Sequence, residues 1–284
     1  MTKTRSLMDR RALFATGAAA ALLAATGVSA AAMPQQGGRL RMALSGASRS
    51  DSWAKGDGLF MKVARQGLIF DTLTEVAADG TLRGELATGW QGSDDGRVWM
   101  FDLRQDVAFH DGQPMTARDV AGSLQLNGRV EVLNDHQICI ALDAPAMDLP
   151  FTLAGPDHFI RPLHAADQGI GTGLYRLKKF TPGQQVLAER VADHYKGNTA
   201  GWFDAVELVS VPSDAVRAQA LAEYLVDAAD LDDAGLVQGF DDIAQLPFSR
   251  AMTHAVSRSV AMPVRIGQHR PLDNLRAAER WWFA

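Results

Sequence analysis

The residues most suggestive of chemistry are a neighbouring histidine and aspartate, His110 and Asp111, in the stretch FHDGQPMTARDV at residues 109–120. Such a pair could bind a metal ion, or act as a general base with the group that orients it. Neighbouring side chains of an extended chain point to opposite faces, so these two converge only if the turn bends them together. Asp-Gly is also a strong hairpin signal. We therefore predict a hairpin corner, followed by a helix that starts at Thr116 with Asp119 completing a loose capping box.

The rest of the sequence carries no catalytic or metal-binding pattern. The other histidines outside the hairpin regions fit no zinc spacing, and no G-x-S-x-G elbow occurs. The Gly-rich stretch GIGTG at residues 169–173 lacks the Lys and Ser/Thr of a phosphate-binding loop and leads into a strand. We predict a protein that is not an enzyme and holds no metal and no cofactor. The histidines that fit no zinc spacing are His158, His164, His194, His254 and His269.

The single cysteine, Cys139, excludes an internal disulfide and a multi-cysteine metal site made by one chain. It lies in the alternating run HQICIAL, which predicts a strand. We interpret Cys139 as a buried strand residue, with a reactive thiol as the alternative.

Composition indicates a globular chain with an acidic body. The 284 residues are 47% apolar, which can fill a core, and the formal charge is -5. The first thirty residues are basic, so the remainder is more acidic still. An acidic body argues against a nucleic-acid partner.

Residues 1–30 have the features of an export signal: a basic start, an Ala-rich apolar stretch and small residues ending at Ala30. The pair Arg10-Arg11 resembles a twin-arginine signal. We expect a periplasmic protein of bacterial origin, with cleavage or an uncleaved tether both open. Membrane contact is expected only through this segment or a partner.

The remaining chain alternates short strands with a few helices, without a regular βαβ rhythm. Asp-Gly pairs at residues 79–80, 95–96 and 111–112 and a Pro-Gly pair at 182–183 predict hairpin turns. Residues 59–67, 116–126 and 213–231 are predicted to form helices. The fold class is therefore α+β or mixed α/β.

The order of the motifs resembles the peptide and nickel class (family 5) of bacterial extracytoplasmic solute-binding proteins of ABC importers. The blocks that carry the resemblance are GGRLRMALSG, GLIFDTLTEVAADGTLRGELATGWQGSDDGRVWMFDLRQDVAFHDGQPMTARDV, GTGLYRLKKFTPGQQVLAERVADHYKGN and FDAVELVSVPSDAVRAQALAEYLVDAAD. The resemblance implies a periplasmic-binding-protein-like first lobe with a mixed sheet and hairpins. Family chains are longer, and the segment after DVAGSLQL is short here, so the second lobe is expected to be largely missing.

This resemblance divides the chain into residues 1–30 as export signal, 37–260 as the first lobe, and 261–284 as a crossing strand and terminal helix. It places the loop SRSDSW at the edge of the ligand cleft, with Arg49 as a partner for a ligand carboxylate and Trp53 as an apolar wall. A plain solvated loop is the alternative. The predicted ligand-binding residues are Ser48, Arg49, Asp51, Trp53, Arg65 and Gln66.

The terminal sequence RWWFA is a candidate partner-binding segment, because neighbouring helical positions cannot all face one core. A tail that folds back on its own lobe is the alternative. The predicted partner-binding residues are Trp281, Trp282 and Phe283.

Two functions follow from these observations. The first is a non-catalytic module that binds a small peptide or another small solute for an ABC permease. The second is a single-lobe scaffold or accessory subunit that docks on another exported protein and binds no free solute.

Overall fold

In a computed structural model, the structure describes residues 37–66, 68–76, 81–197, 200–201, 203–241, 243–247 and 253–257. The export segment 1–30, the Asp-Gly pair at 79–80, His269 and the segment 261–284 with Trp281, Trp282 and Phe283 lie outside the described residues. All described residues belong to one compact unit of the chain, residues 34–284.

The described part of the chain contains thirteen strands and four α-helices. The strands are β1 Arg39–Leu44, β2 Thr74–Val76, β3 Leu82–Gly84, β4 Ala87–Gly92, β5 Val98–Leu103, β6 Gly128–Asn134, β7 Gln137–Leu142, β8 Tyr175–Thr181, β9 Gln185–Arg190, β10 Ala205–Ser210, β11 Ala228–Leu231, β12 Ile243–Pro247 and β13 Thr253–Ser257. The helices are α1 Leu59–Arg65, α2 Ala117–Ser123, α3 Leu149–Thr152 and α4 Asp214–Ala222. Short 3₁₀ turns occupy Leu163–Ala165 and Ala234–Val237.

A seven-stranded mixed sheet has the order β12-β13-β11-β1-β10-β9-β8. The central strand β1 pairs in parallel with β10 on one side and β11 on the other, and the outer pairs are antiparallel. In β1 the four apolar residues Leu40, Met42, Ala43 and Leu44 are buried, whereas Arg39 at its start is exposed and Arg41 is half-buried. Parallel pairing places the carboxyl ends of β10, β1 and β11 at one edge of the sheet.

A four-stranded antiparallel sheet, ordered β4-β5-β7-β6, has a hydrophobic core of its own. On β5, Trp99, Phe101 and Leu103 are buried, as their period-2 spacing predicts. The alternation on β7 buries Ile138 and Ile140 and leaves Cys139 half-buried on the opposite face. The predicted strand is confirmed, but the predicted burial of Cys139 is wrong, because its neighbours fill the core face.

Local signals predicted the turns and one helix start. Gly96, Gly112 and Gly183 all have positive φ, the backbone region that glycine tolerates best. At the start of α2, the Asp119 carboxylate accepts hydrogen bonds from the Thr116 N–H and hydroxyl, so the expected pairing of these two residues is confirmed.

The last helix is shorter than predicted. Helix α4 ends at Ala222, and Tyr224 has a φ of 57°, which turns the chain back. The following residues then join the sheet as β11 beside β1. The sequence pattern predicted neither β11, β12 nor β13, because a short strand depends on the partner strand that pairs with it.

His110 joins two distant segments of backbone. Its Nε2 contacts the carbonyl oxygen of Gly173 at 2.8 Å, and the Gly171 N–H donates to its Nδ1 at 3.3 Å. The ring is thus held as the neutral tautomer with the proton on Nε2, and burial lowers its pKa. Asp111 instead contacts Nε2 of His164 at 2.6 Å. The hairpin corner is confirmed, and His110 and Asp111 do not act as a pair.

Candidate functional site

The loop that follows β1, residues 45–58, leaves the sheet at the edge where the carboxyl ends of its parallel strands meet. In open α/β sheets, ligands bind in the crevice outside these strand ends. The fold therefore brings the predicted ligand-binding loop to the edge of the sheet where such sites occur.

A buried carboxylate fixes the start of this loop. Asp230, at the end of β11, accepts hydrogen bonds from the Ser45 N–H at 2.9 Å and from the Ser45 hydroxyl at 2.6 Å. Arg217 of α4, also fully buried, donates from Nε to the Asp230 carbonyl oxygen at 2.7 Å. The strand ends of β1 and β11 are thus tied together directly below the loop.

The segment at residues 48–51 is a tight turn held by its own side chains. The Ser48 N–H donates to the Asp51 carboxylate at 2.7 Å, and the Asp51 N–H donates to the Ser48 carbonyl oxygen at 3.0 Å. Asp51 is buried, whereas Ser48 and Arg49 are exposed. Gly183, in the turn between β8 and β9, packs so closely on the backbone of Ser48 and Arg49 that a Cβ there would lie 2.8 Å from the Arg49 nitrogen.

Trp53 lies beneath the loop. Its indole packs against Phe180 and Phe70, with ring centroids 4.9 and 6.0 Å away, and it belongs to the core of the seven-stranded sheet. Trp53 therefore supports the loop from beneath. Its role as an apolar wall of the ligand cleft stays a prediction.

Arg65, the last residue of α1, clamps the other end of the loop. Its two terminal nitrogens donate to the carbonyl oxygens of Gly56 and Ser52, each at 2.8 Å. Burial lowers the pKa of the Arg65 guanidinium, and the nearby Asp51 carboxylate opposes that shift. Its remaining nitrogen, Nε, is buried and has no hydrogen-bond partner in the described part of the chain.

Gln66 carries a second buried polar atom without a partner. Its Nε2 donates to the Ala154 carbonyl oxygen at 2.8 Å, while its Oε1 accepts no hydrogen bond from any described residue. Buried polar atoms are normally paired, so this oxygen is an exception within the described residues.

An aromatic ring completes this group. The guanidinium carbons of Arg65 and Arg161 lie 5.7 and 5.6 Å from the ring centroid of Phe159, which also stacks on Phe70 at 4.9 Å. We call Arg65, Gln66, Phe159 and Arg161 the arginine-aromatic cluster. Sequence reasoning missed Phe159 and Arg161, because an aromatic residue beside an arginine in a loop carries no periodic signal.

A separate cluster of charged side chains is buried elsewhere in the described part of the chain. His194 and Asp71 face each other at 3.7 Å, and Lys196 pairs with Glu75 at 2.9 Å and with Glu85. All five side chains are buried and pair with one another, so we assign them to stabilising the fold. Within the described ranges, no group of three or more His, Cys, Asp or Glu side chains could hold a metal ion.

No helix among the described residues is long and apolar enough to cross a bilayer.

Comparison with protein families gives a direct match. The sequence profile of the bacterial extracellular solute-binding proteins, family 5, middle region, matches residues 81–276. The chain belongs to this family. The resemblance predicted from the motif order is therefore confirmed, and family members of this kind are binding proteins rather than enzymes.

Relatives and solved structures agree with this assignment. The probable D,D-dipeptide-binding periplasmic protein DdpA of Escherichia coli K12 is 27% identical over 193 residues, which are 57% of this chain and 37% of the relative. The agropinic acid complex of AgaA from A. tumefaciens R10 has a TM-score of 0.64 at 22% identity, covering 74% of this chain and 48% of that one. The Helicobacter pylori DppA complex with the peptide STSA has a TM-score of 0.63 at 20% identity, covering 75% and 51%.

These matches confirm the mixed α/β fold of a periplasmic binding protein. The chain spans about half the length of the solved structures it matches and 37% of the length of the dipeptide-binding relative.

Proposed function

We propose that this chain forms one wall of a solute-binding cleft in an ABC importer system, that its solutes are short peptides, and that it carries out no catalysis. Family membership supports the solute-binding role. The peptide class is supported by two similar proteins: DdpA is named as a probable D,D-dipeptide-binding protein, and DppA was solved in complex with the peptide STSA.

The observation that carries the proposal is the pair of unpartnered buried atoms in the arginine-aromatic cluster. Arg65 Nε is a donor without an acceptor, and Gln66 Oε1 is an acceptor without a donor. A peptide group offers one carbonyl oxygen and one N–H, which are the two kinds of partner that these atoms lack. The half-buried ring of Phe159 offers apolar contact beside them.

The loop residues take two roles in this proposal. Ser48 and Arg49 are exposed at the turn, where Arg49 can pair with a peptide carboxylate. Asp51 and Trp53 are buried and keep the turn in shape. A ligand resting on a single wall stays partly exposed to water, so the affinity of this chain alone should be low.

The same proposal includes export. We propose that residues 1–30 direct the chain out of the cytoplasm, by a twin-arginine route, and that residues 37–260 act as the lobe. The relative DdpA is described as periplasmic, which supports this location.

A thermal-shift experiment with di- to tetrapeptides at millimolar concentration tests solute binding. Binding to the folded state raises the melting temperature, because stabilisation grows with the ratio of ligand concentration to Kd. Gln66→Met removes the unpaired oxygen at similar volume, and Arg49→Ala removes the exposed cation. Each should reduce the shift, with about a tenfold weaker apparent affinity.

Arg118→Ala is the matched control, since Arg118 is an exposed arginine of α2 remote in sequence from the loop. It should leave the peptide-induced shift unchanged. If no di- to tetrapeptide raises the melting temperature of the wild-type chain at millimolar concentration, the proposal is wrong.

A further inference from the structure

The outer strand of the four-stranded sheet, β6, has one edge without a strand partner in the described part of the chain. Such an edge presents a row of backbone donors and acceptors that can pair with another strand. Six of its seven residues are exposed, including Val132 and Leu133 at 38% and 47%.

The other outer strands of the two larger sheets carry features that discourage pairing. Strand β8 has Lys178 and Lys179 and a register shift between Leu177 and Lys179. Strand β4 has a register shift and two glycines, and β12 ends in Pro247, which lacks an N–H. By contrast, β6 contains neither lysine nor proline, and its register shift lies near its end, after Val132.

We propose that β6 pairs antiparallel with β6 of a second copy of this chain, so that two four-stranded sheets join into one of eight strands. A two-fold axis perpendicular to the sheet relates the two strands and keeps both core faces on the same side. Residues of equal parity then lie opposite each other, which restricts the pairing to a few registers.

The charges on β6 select one of these registers. Arg129 and Glu131 lie on the same face, 75% and 55% exposed, with Arg129 Nη2 2.8 Å from Glu131 Oε1. When Val130 lies opposite its own copy, Arg129 of each chain faces Glu131 of the other. A shift of two residues either way puts Arg129 against Arg129 or Glu131 against Glu131, and like charges directly opposite are unfavourable.

In the selected register the four charges alternate in sign along each strand and across the pair. Residues 128–132 of each chain pair, a usual length for a strand. This is a small contact, so we expect a weak dimer that is populated at high protein concentration and weakened by salt.

Charge exchange on the full chain tests the proposal, with sedimentation equilibrium as the measurement. Arg129→Glu gives two acidic residues on each edge, and Glu131→Arg gives two basic ones. Each single variant should dissociate at least tenfold more readily than the wild type. The double variant Arg129→Glu/Glu131→Arg should dimerise again, and a mixture of the two single variants should form a heterodimer.

Lys178→Glu, on the edge strand of the other sheet, is the control and should leave dimerisation unchanged. Circular dichroism of each variant checks that the fold is kept. A wild-type chain that stays monomeric at the highest soluble concentration overturns the proposal. A dimer that neither single variant weakens, or that the double variant does not restore, overturns it equally.

Discussion

At the scale of single residues, His110 acts as a connection between two segments of backbone. Both ring nitrogens are used, one towards the Gly173 carbonyl oxygen and one towards the Gly171 N–H. Protonation of Nδ1 would remove the second of these contacts. Burial lowers the pKa of His110 below its ordinary value of 6.5, because the charged ring would lose its contact with water.

The pKa shift predicts the pH dependence of stability. Between the lowered pKa of the folded chain and about 6.5 in the unfolded chain, the unfolded state binds more protons, so stability rises with pH in that window. The contribution of His110 is complete above about pH 6.5 and is lost as the pH falls through the folded pKa. We expect His110→Gln to lose about 1–3 kcal/mol at pH 7 and to show a flatter dependence between pH 7 and 5.

Urea unfolding at several pH values measures this effect. Burial also lowers the pKa of His158, so His158→Gln separates the contribution of that second histidine. A His110→Gln variant whose stability falls as steeply as the wild type between pH 7 and 5 would contradict the assignment.

At the scale of elements, the chain before β8 passes so close to the end of α1 that only glycine fits. A Cβ on Gly171 would lie 1.9 Å from the Ile69 carbonyl oxygen, and one on Gly173 would lie 2.5 Å from the Leu68 carbonyl oxygen. Both contacts are with backbone, which cannot move without shifting an element. The stretch GIGTG is therefore required by packing.

Gly171→Ala should lower the free energy of unfolding by about 3 kcal/mol, because backbone must be displaced. Gly89→Ala is the control, since a Cβ at Gly89 meets only an Asp102 carboxylate oxygen at 3.9 Å. We expect that variant to remain within about 1 kcal/mol of the wild type. Equal stabilities for the two variants in urea unfolding would show that the close approach at Gly171 does not constrain the fold.

Element prediction succeeded where the signals were local. The turn at Asp95-Gly96, the hairpin of β8 and β9, and the start of α2 all depend on residues within four positions of one another. Strands β11 to β13 were not predicted, because their partners lie far away in sequence.

At the scale of the whole molecule, a buried ionic cluster connects three segments of the chain. Lys196, after β9, pairs with Glu75 on β2 and with Glu85, which follows β3. Glu75 also pairs with Arg83 at 2.7 Å, and Glu85 accepts hydrogen bonds from the N–H and hydroxyl of Thr72, both at 2.8 Å. Buried charges persist only when each is matched, so the three segments hold one another in place.

Lys196→Met should cost about 3–5 kcal/mol of unfolding free energy, because it leaves two buried carboxylates without their shared cation. Lys178→Met removes a half-exposed lysine that pairs with Glu189 at 2.9 Å. That control should cost less than about 1 kcal/mol. Similar unfolding free energies for the two variants would rule out a central role for Lys196.

The sequence by itself determined the family, the fold class, several turns and the position of the loop after β1 that we propose as part of the ligand site. These features follow from residue order and from interactions between near neighbours. It also identified Arg65 and Gln66 as residues to examine, although their unpaired atoms are visible only in three dimensions.

The tertiary structure alone decided which charged and aromatic groups meet. It pairs Asp111 with His164, buries Trp53 under the loop, and brings Phe159 to Arg65. Each of these contacts joins segments that are remote in sequence. The tertiary fold sets which residues form these contacts, and no local pattern of residue types encodes them.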